Sequence, residues 1–439
     1  MSVNDPLLPR LSPSRAYWIP KRYILTALAF LGFFNVYALR VCFSVGVLPM
    51  STAFGWGPES NGVLLAAFFA GYIVLQIPGG VLAVRFGGKR LLLLAVGATA
   101  ALTLLTPLAA NQSKWAVVAL RVAEGLVEGL SFPAMHEMWQ KWSPRSERTW
   151  MPSLGYSGAY VGTIVTFPVC GLIATTIGWP YIFYISGVVA LAWCVAWFFF
   201  AFSSPEEQPG ISEAELDLIL SGRAVSRNDV QRSPPWRQIF SNKAMLALIY
   251  SSVSVNWGFY LALTDAPNFL VHGINLDISE SALLSALPYM GIWVVYVGSG
   301  KLADWFLESG VVSPTLVRRS FQVASLLLSA GCFLLLTLVT SKSDAVLLLT
   351  LANSMLGLSA GGVVVNHMDI GPEWAGVLMG VANCFGTLPG ILAPLTTSAI
   401  LGNNVASEAA WANVFYLAAA IVGSGALVFG LFGSAERQF

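Results

Sequence analysis

Charge is what this chain has least of. Only 10% of its 439 residues are Asp, Glu, Lys or Arg, against about a quarter in a soluble domain, while 56% are hydrophobic and the mean hydropathy is +0.71. A soluble globular protein is excluded. The net charge of +1 names no partner, and no nucleic acid is expected among them. Cysteine is also scarce. The five present (Cys42, Cys170, Cys194, Cys332, Cys384) all fall inside apolar runs, at spacings that suggest neither a loop disulfide nor a metal cage, so they read as small packing residues. The apolar runs do not alternate, which excludes a transmembrane β-barrel. Enzyme signatures are missing too. "HEMWQ" at His136 has Gln140 where HExxH needs a second histidine, and there is no GxGD-type aspartate pair or nucleophile motif with a nearby base. No enzyme activity, cofactor or metal is expected.

What is present is a series of apolar runs, each enough to cross about 30 Å of hydrocarbon. Hydropathy predicts twelve spans, at 22–48, 60–83, 91–110, 115–137, 154–177, 179–202, 244–270, 281–303, 317–340, 344–365, 374–400 and 409–433. The expected class is an all-α polytopic membrane protein. The first run is too long for the apolar core of a signal peptide and lacks a small-residue cleavage site, so it stays as span one. Of 23 Lys and Arg, nineteen fall on one side of these spans and only Lys114 and Lys342 in loops on the other. The positive-inside rule makes the first side cytosolic, with both termini there. Asn111 in "NQS" is a glycosylation sequon in the exoplasmic loop after span three. Leu7-Leu8 suggests endolysosomal sorting, although the acid stands only two positions upstream; lysosomal, endomembrane and plasma-membrane locations stay open.

The longest polar interval, 203–243, divides the chain into six spans (22–202) and six (244–433), with cytosolic tails at 1–21 and 434–439. Within it, Ser212 and Glu215 have capping-box spacing before an amphipathic run, which predicts a short helix. The halves echo each other in order. "GTIVTFPVCG" (162–171) pairs with "GTLPGILAP" (386–394), "GGVLAVRFGGKR" (79–90) with "GSGKLADWF" (298–306), and spans four and ten both end near a histidine, His136 and His367. Repeats of this kind build transporters whose halves rock about a midplane site. Pro78, Pro168, Pro288 and Pro389 are expected to loosen their helices, and Gly125, Gly129, Gly158 and Gly162 to permit close helix approach.

Span four, "LRVAEGLVEGLSFPAMHEMW", carries Arg121, Glu124, Glu128 and His136. On a helix the first three lie within about 60° of one another. Three unpaired charges at mid-depth would oppose insertion by on the order of 8–10 kcal/mol, so they must face protein or water. Arg121 and Glu124 can offset each other at i and i+3. Glu128 is then the surplus acid, expected to share a proton with Glu124 as a coupled pair. A purely structural salt-bridge network is the competing reading. Arg40 in span one has no acid within a turn, so its partner comes from another helix or from a ligand carboxylate or phosphate. Span seven adds Asn256, Tyr260 and Asp265. That acid either pairs with Arg40 or snorkels outward.

The strings "GFFNVYALRVCFSVGV", "LRVAEGLVEGLSFPAMHEMWQKWSPRSER", "NWGFYLALT" and "NHMDIGPEWAGVLMGVANCFGTLPGI" resemble, in order, the anion–cation symporter family of the major facilitator superfamily. Its members include sialin, the vesicular glutamate transporters and the sodium/phosphate cotransporters; spans one and four look most like sialin. The resemblance implies the superfamily fold, twelve transmembrane helices in two six-helix bundles, and anion transport by alternating access. It implies that Arg40, with Tyr37, Asn256 and Tyr260, contacts the anion, and that Glu124, Glu128 and Arg121 couple protons. Gating falls to His136, His367 and Asp369, and to the loop motif that matches Gly80, Arg85, Gly87, Lys89 and Arg90. In that motif Val84 replaces an aspartate, for which Asp304 can stand in. A span-two histidine found in part of the family has no counterpart, Leu65 occupying its place. The expectation is a monomeric, proton-coupled carrier of an acidic sugar or other carboxylate. Sodium-coupled phosphate or organophosphate uptake, and a non-transporting anion sensor, are the alternatives.

Overall fold

Without water to bond the backbone, a long apolar run closes its hydrogen bonds internally as helix. The computed structural model describes residues 19–56, 58–221, 233–265, 269–274, 284, 286–339, 341–402 and 407–439, and among these there is no strand. Leu7-Leu8, residues 222–232 of the linker and the start of span eight lie outside the described residues.

Seven helices form the first half: α1 (Lys21–Phe54), α2 (Pro58–Phe86), α3 (Gly88–Gln112), α4 (Lys114–Glu128), α5 (Ser131–Trp142), α6 (Trp150–Thr176) and α7 (Pro180–Phe200). Two short ones follow, α8 (Glu213–Ser221) and α9 (Trp236–Ser241). The second half comprises α10 (Lys243–Thr264), α11 (Leu287–Ser309), α12 (Pro314–Leu336), α13 (Lys342–Leu356), α14 (Val363–Ile370), α15 (Ala375–Thr387), α16 (Pro389–Leu401) and α17 (Glu408–Phe432). Ten segments among the described residues are long and apolar enough to cross a membrane. The other two expected spans are helical but less apolar: α4 and α5 share the ionisable residues, and α11 carries Lys301 and Asp304. The described helices agree with the twelve spans expected from the sequence.

Spans four and ten are each broken midway. Span four turns at Gly129 and Leu130, and span ten passes through a 3-10 turn at Gly357–Ala360 before α14. The break in span four lies beside a close helix contact. Gly125 lies so close under the Phe68 carbonyl of α2, and Gly129 under that of Tyr72, that a Cβ would collide with backbone at both. The prolines divide differently from expectation. Pro78 and Pro168 sit inside α2 and α6, whereas Pro288 and Pro389 stand in the first turn of new helices, where their missing N–H is no loss.

The capping box at α8 is half made. The Ser212 hydroxyl accepts the Glu215 N–H at 3.2 Å, but the Glu215 carboxylate turns away to accept the N–H groups of Lys21 and Arg22 at 3.0 Å each. It caps α1 instead, and Arg22 reaches on to Glu147 at 2.7 Å. The linker helix is thereby tied to the first half.

Candidate functional site

Arg40 projects from α1 and bonds Glu128 of α4, Nη2 at 2.5 Å and Nε at 3.2 Å from the same Oε1. Its partner is therefore another helix, one of the two sources the sequence left open, and not Asp265. Glu128 is 1% exposed and its Oε2 has no partner, while the Arg40 side chain is 13% exposed. The rings of Tyr37, Phe68 and Tyr72 lie 4.8, 4.8 and 4.9 Å from the guanidinium carbon, each a favourable cation–π contact. Arg121 bonds Glu124 at 2.5 Å, and Glu124 also accepts from Thr103 at 3.1 Å. The two carboxylates, expected to act as a pair, are thus each held by a different guanidinium, with Phe68 against both cations.

A cavity of about 140 Å³ lies between the halves. Arg40 and Tyr37 line it from the first half and Asn256 and Tyr260 from the second, so the four expected anion contacts converge on one space. The Asn256 amide is turned back onto the Ser252 carbonyl at 2.9 Å. Tyr72, Tyr156, Tyr160, Tyr296 and Asn383 also line it, and sequence reasoning missed all five. Asn383 donates to the Tyr72 hydroxyl at 3.2 Å and to Gln76 at 3.0 Å, joining α15 to α2. Tyrosine facing a cavity has no local signature in a chain that is 12% aromatic; only the matching of spans two, five and eight would have grouped the four tyrosines.

Toward the end of the bundle where α1 begins and α17 ends, the halves are closed on each other. Asp304 of α11 accepts the N–H of Thr149 at 2.9 and 3.1 Å and of Trp150 at 2.7 Å, capping α6 across the seam. Arg318 of α12, also missed, bonds Asp369 at 2.8 Å and donates to the Thr149 hydroxyl at 3.0 Å. It reads in sequence as one more positive-inside cation. The His136 and His367 rings meet edge to face across the seam with centroids 5.1 Å apart. His136 has the Tyr156 hydroxyl at 3.0 Å from Nδ1, and both Nε2 atoms are buried without a partner. Gly80 lies against the backbone of Gly376 and Val377, and Gly380 against the Gln76 carbonyl.

The loop cations are elsewhere. Arg85 lies over the Phe86 ring, Lys89 over Phe198 and Phe202, and Arg90 is exposed; no described residue of the second half bonds them. With Val84 in place of an acid, the loop is pinned by Glu137 of α5, which accepts the Gly88 N–H at 3.0 Å and binds Lys141. Asn111 lies in the last turn of α3, and the Ser113 hydroxyl of its sequon caps α4 by accepting the Ala116 N–H at 3.1 Å.

Among the described residues no group of three His, Cys, Asp or Glu is arranged to hold a metal ion. The arrangement can do one thing well: it presents a guanidinium to the cavity while a buried carboxylate competes for it. The Major Facilitator Superfamily model matches residues 25–394. Sialin of Homo sapiens is 36% identical over 471 residues, covering 99% of this chain and 94% of that protein. Vesicular glutamate transporter 1 of Bos taurus is 32% identical over 441 residues, covering 96% and 78%. Among solved structures, the proton:xylose symporter XylE bound to 6-bromo-6-deoxy-D-glucose matches with a TM-score of 0.72 over 95% of this chain and 98% of that one. At 16% identity it speaks for the fold alone.

Proposed function

This chain belongs to the Major Facilitator Superfamily, and we propose that it is a secondary active transporter that carries an organic carboxylate in symport with a proton by alternating access. One observation carries this reading. Arg40, the guanidinium lining the cavity between the halves, is held by Glu128, whose second oxygen is buried and unpartnered. A carboxylate entering the cavity and a proton arriving at Glu128 each break the same ion pair, so each favours the other. The look of spans one and four, with Leu65 in place of the span-two histidine, favours an acidic sugar or other carboxylate over glutamate. The positive-inside bias supports cytosolic termini. On that reading the seal at Asp304 and Arg318 is the cytosolic gate.

Arg121 and Glu124 form the neighbouring pair that holds Phe68 under Arg40 and keeps the rest of span four neutral. Asn256, Tyr260 and Tyr296 supply hydrogen bonds to the cargo from the second half, and Tyr37, Tyr72 and Tyr160 from the first. Reconstitution into liposomes with labelled hexuronate, glutamate and phosphate, under an imposed pH gradient and with choline replacing sodium, tests the assignment. Accumulation of hexuronate driven by the proton gradient and indifferent to sodium is expected. Sodium-dependent phosphate uptake in its place overturns it.

A further inference from the structure

Asp265 takes no part in the site described above. It caps the end of α10 away from the termini, its N–H on the Leu261 carbonyl at 3.0 Å, and it is 7% exposed. Two features make this a poor place for a carboxylate. A helix C-terminus carries negative partial charge, and an ionised acid out of water needs a cation or several donors. Among the described side chains, which do not include that of His272, no Lys, Arg or His forms an ion pair with it. The side-chain partners are two hydroxyls, Thr264 at 2.8 Å and Thr397 of α16 at 3.4 Å.

The protons can be counted. The Thr264 hydroxyl lies 2.8 Å from Asp265 Oδ2 and also 2.8 Å from the Tyr260 carbonyl oxygen. A hydroxyl has one proton to donate, and a carbonyl oxygen can only accept. If Thr264 donates to Tyr260, the contact with Asp265 is filled by a proton that the carboxyl group itself carries. We infer that Asp265 is a proton-binding site in the second half, a carboxylic acid that donates to Thr264 in this conformation and gives its proton to solvent when the α10–α16 contact opens.

The site stands apart from Arg40 and Glu128: it belongs to the other half and has no guanidinium to trade. Only its consequence rests on the transporter reading, namely that a second proton accompanies the cargo. Asp265→Asn preserves a donor for the Thr264 oxygen, so the fold should hold. Infrared difference spectra of the purified full-length chain, recorded between two pH values, read the site without any need for transport. A protonated-carboxyl C=O band present in the wild type and in Glu128→Gln, absent from Asp265→Asn, and shifted in Asp265→Glu is expected. Persistence of every such band in Asp265→Asn overturns the inference. In liposomes, protons taken up per anion should fall by one in Asp265→Asn; an unchanged ratio removes the coupling role. Loss of the band in a protein that moves no anion would count against the transporter reading and leave the proton site standing.

Discussion

Replacing Glu128 with glutamine separates the two jobs of the central ion pair. In the wild type, Arg40 gives both Nε and Nη2 to one Glu128 oxygen, and that carboxylate competes with an anion for the guanidinium. Glutamine keeps the shape and removes the charge. A hydrogen bond to a charged group contributes about 1.5–3 kcal/mol, so freeing Arg40 should tighten anion binding roughly ten- to hundredfold. The sign with pH follows. In the wild type, acid protonates Glu128, releases Arg40 and strengthens binding; alkali restores the pair and weakens it. In Glu128→Gln binding should be tight and flat across that range. The variant should also cost stability. Breaking a fully buried ion pair costs about 3–5 kcal/mol, and the partial exposure of Arg40 to the cavity places the expected loss below that range. Thermal stabilisation by hexuronate at two pH values, with and without the substitution, measures both effects. Weaker binding in Glu128→Gln, or a pH dependence equal to that of the wild type, refutes the competition between proton and anion for Arg40.

Three further outcomes follow from the seam and the linker. Asp304→Asn removes the charge that caps α6 through three hydrogen bonds; it should weaken closure at the terminal end by about 1 kcal/mol, read as faster thiol labelling of Ser153→Cys from that side. Gly380→Val places bulk against the Gln76 carbonyl and should hold α2 and α15 apart, giving a protein that binds anion from the terminal side but does not transport it. Glu215→Ala uncaps α1 and should lower stability by about 1–2 kcal/mol in thermal unfolding, with turnover unchanged because the site lies far from the cavity.

Local patterns were legible in the sequence, and long-range partners were not. Arg121 and Glu124 stand three apart on one helix, so their bond could be read directly. Arg40 and Glu128 are 88 positions apart, and nothing in either span names the other. Hydropathy found the helices because burial in lipid acts on every residue of a span. It missed the breaks in spans four and ten because Gly129 and Gly357 look the same whether they allow close packing or end a helix. Arg85, Lys89 and Arg90 were chosen from a motif, yet that motif works through an acid that Val84 has replaced. The contacts across the seam come instead from Asp304 and from Arg318, the latter hidden among cytosolic cations. Glu215 shows the same limit at a helix cap: spacing named a donor within reach, and tertiary structure offered a better one.

The charge arithmetic of the site explains why cargo and proton should move together. Arg40 and Glu128 sum to zero when the cavity is empty, and they sum to zero again when one carboxylate and one proton have both arrived. With either alone the site carries a unit charge, and a charge at mid-depth costs roughly 2.5–3.5 kcal/mol, enough to suppress rocking of a half-loaded protein by about a hundredfold. Glu128→Gln leaves the empty site positive and the anion-loaded site neutral, so it should exchange anions readily while losing the proton coupled at Glu128. Arg40→Leu reverses the pattern. Its only neutral state is protonated Glu128 with no anion, and the unprotonated state carries the penalty in either conformation. Protons can then enter and leave at both faces without cargo, but the return stroke is slowed. The expected phenotype is a slow proton leak, independent of added anion, seen as acidification of a dye-loaded liposome and abolished in Arg40→Leu/Glu128→Gln. A leak that survives in the double variant would mean the proton travels by another route and that Glu128 is not its carrier.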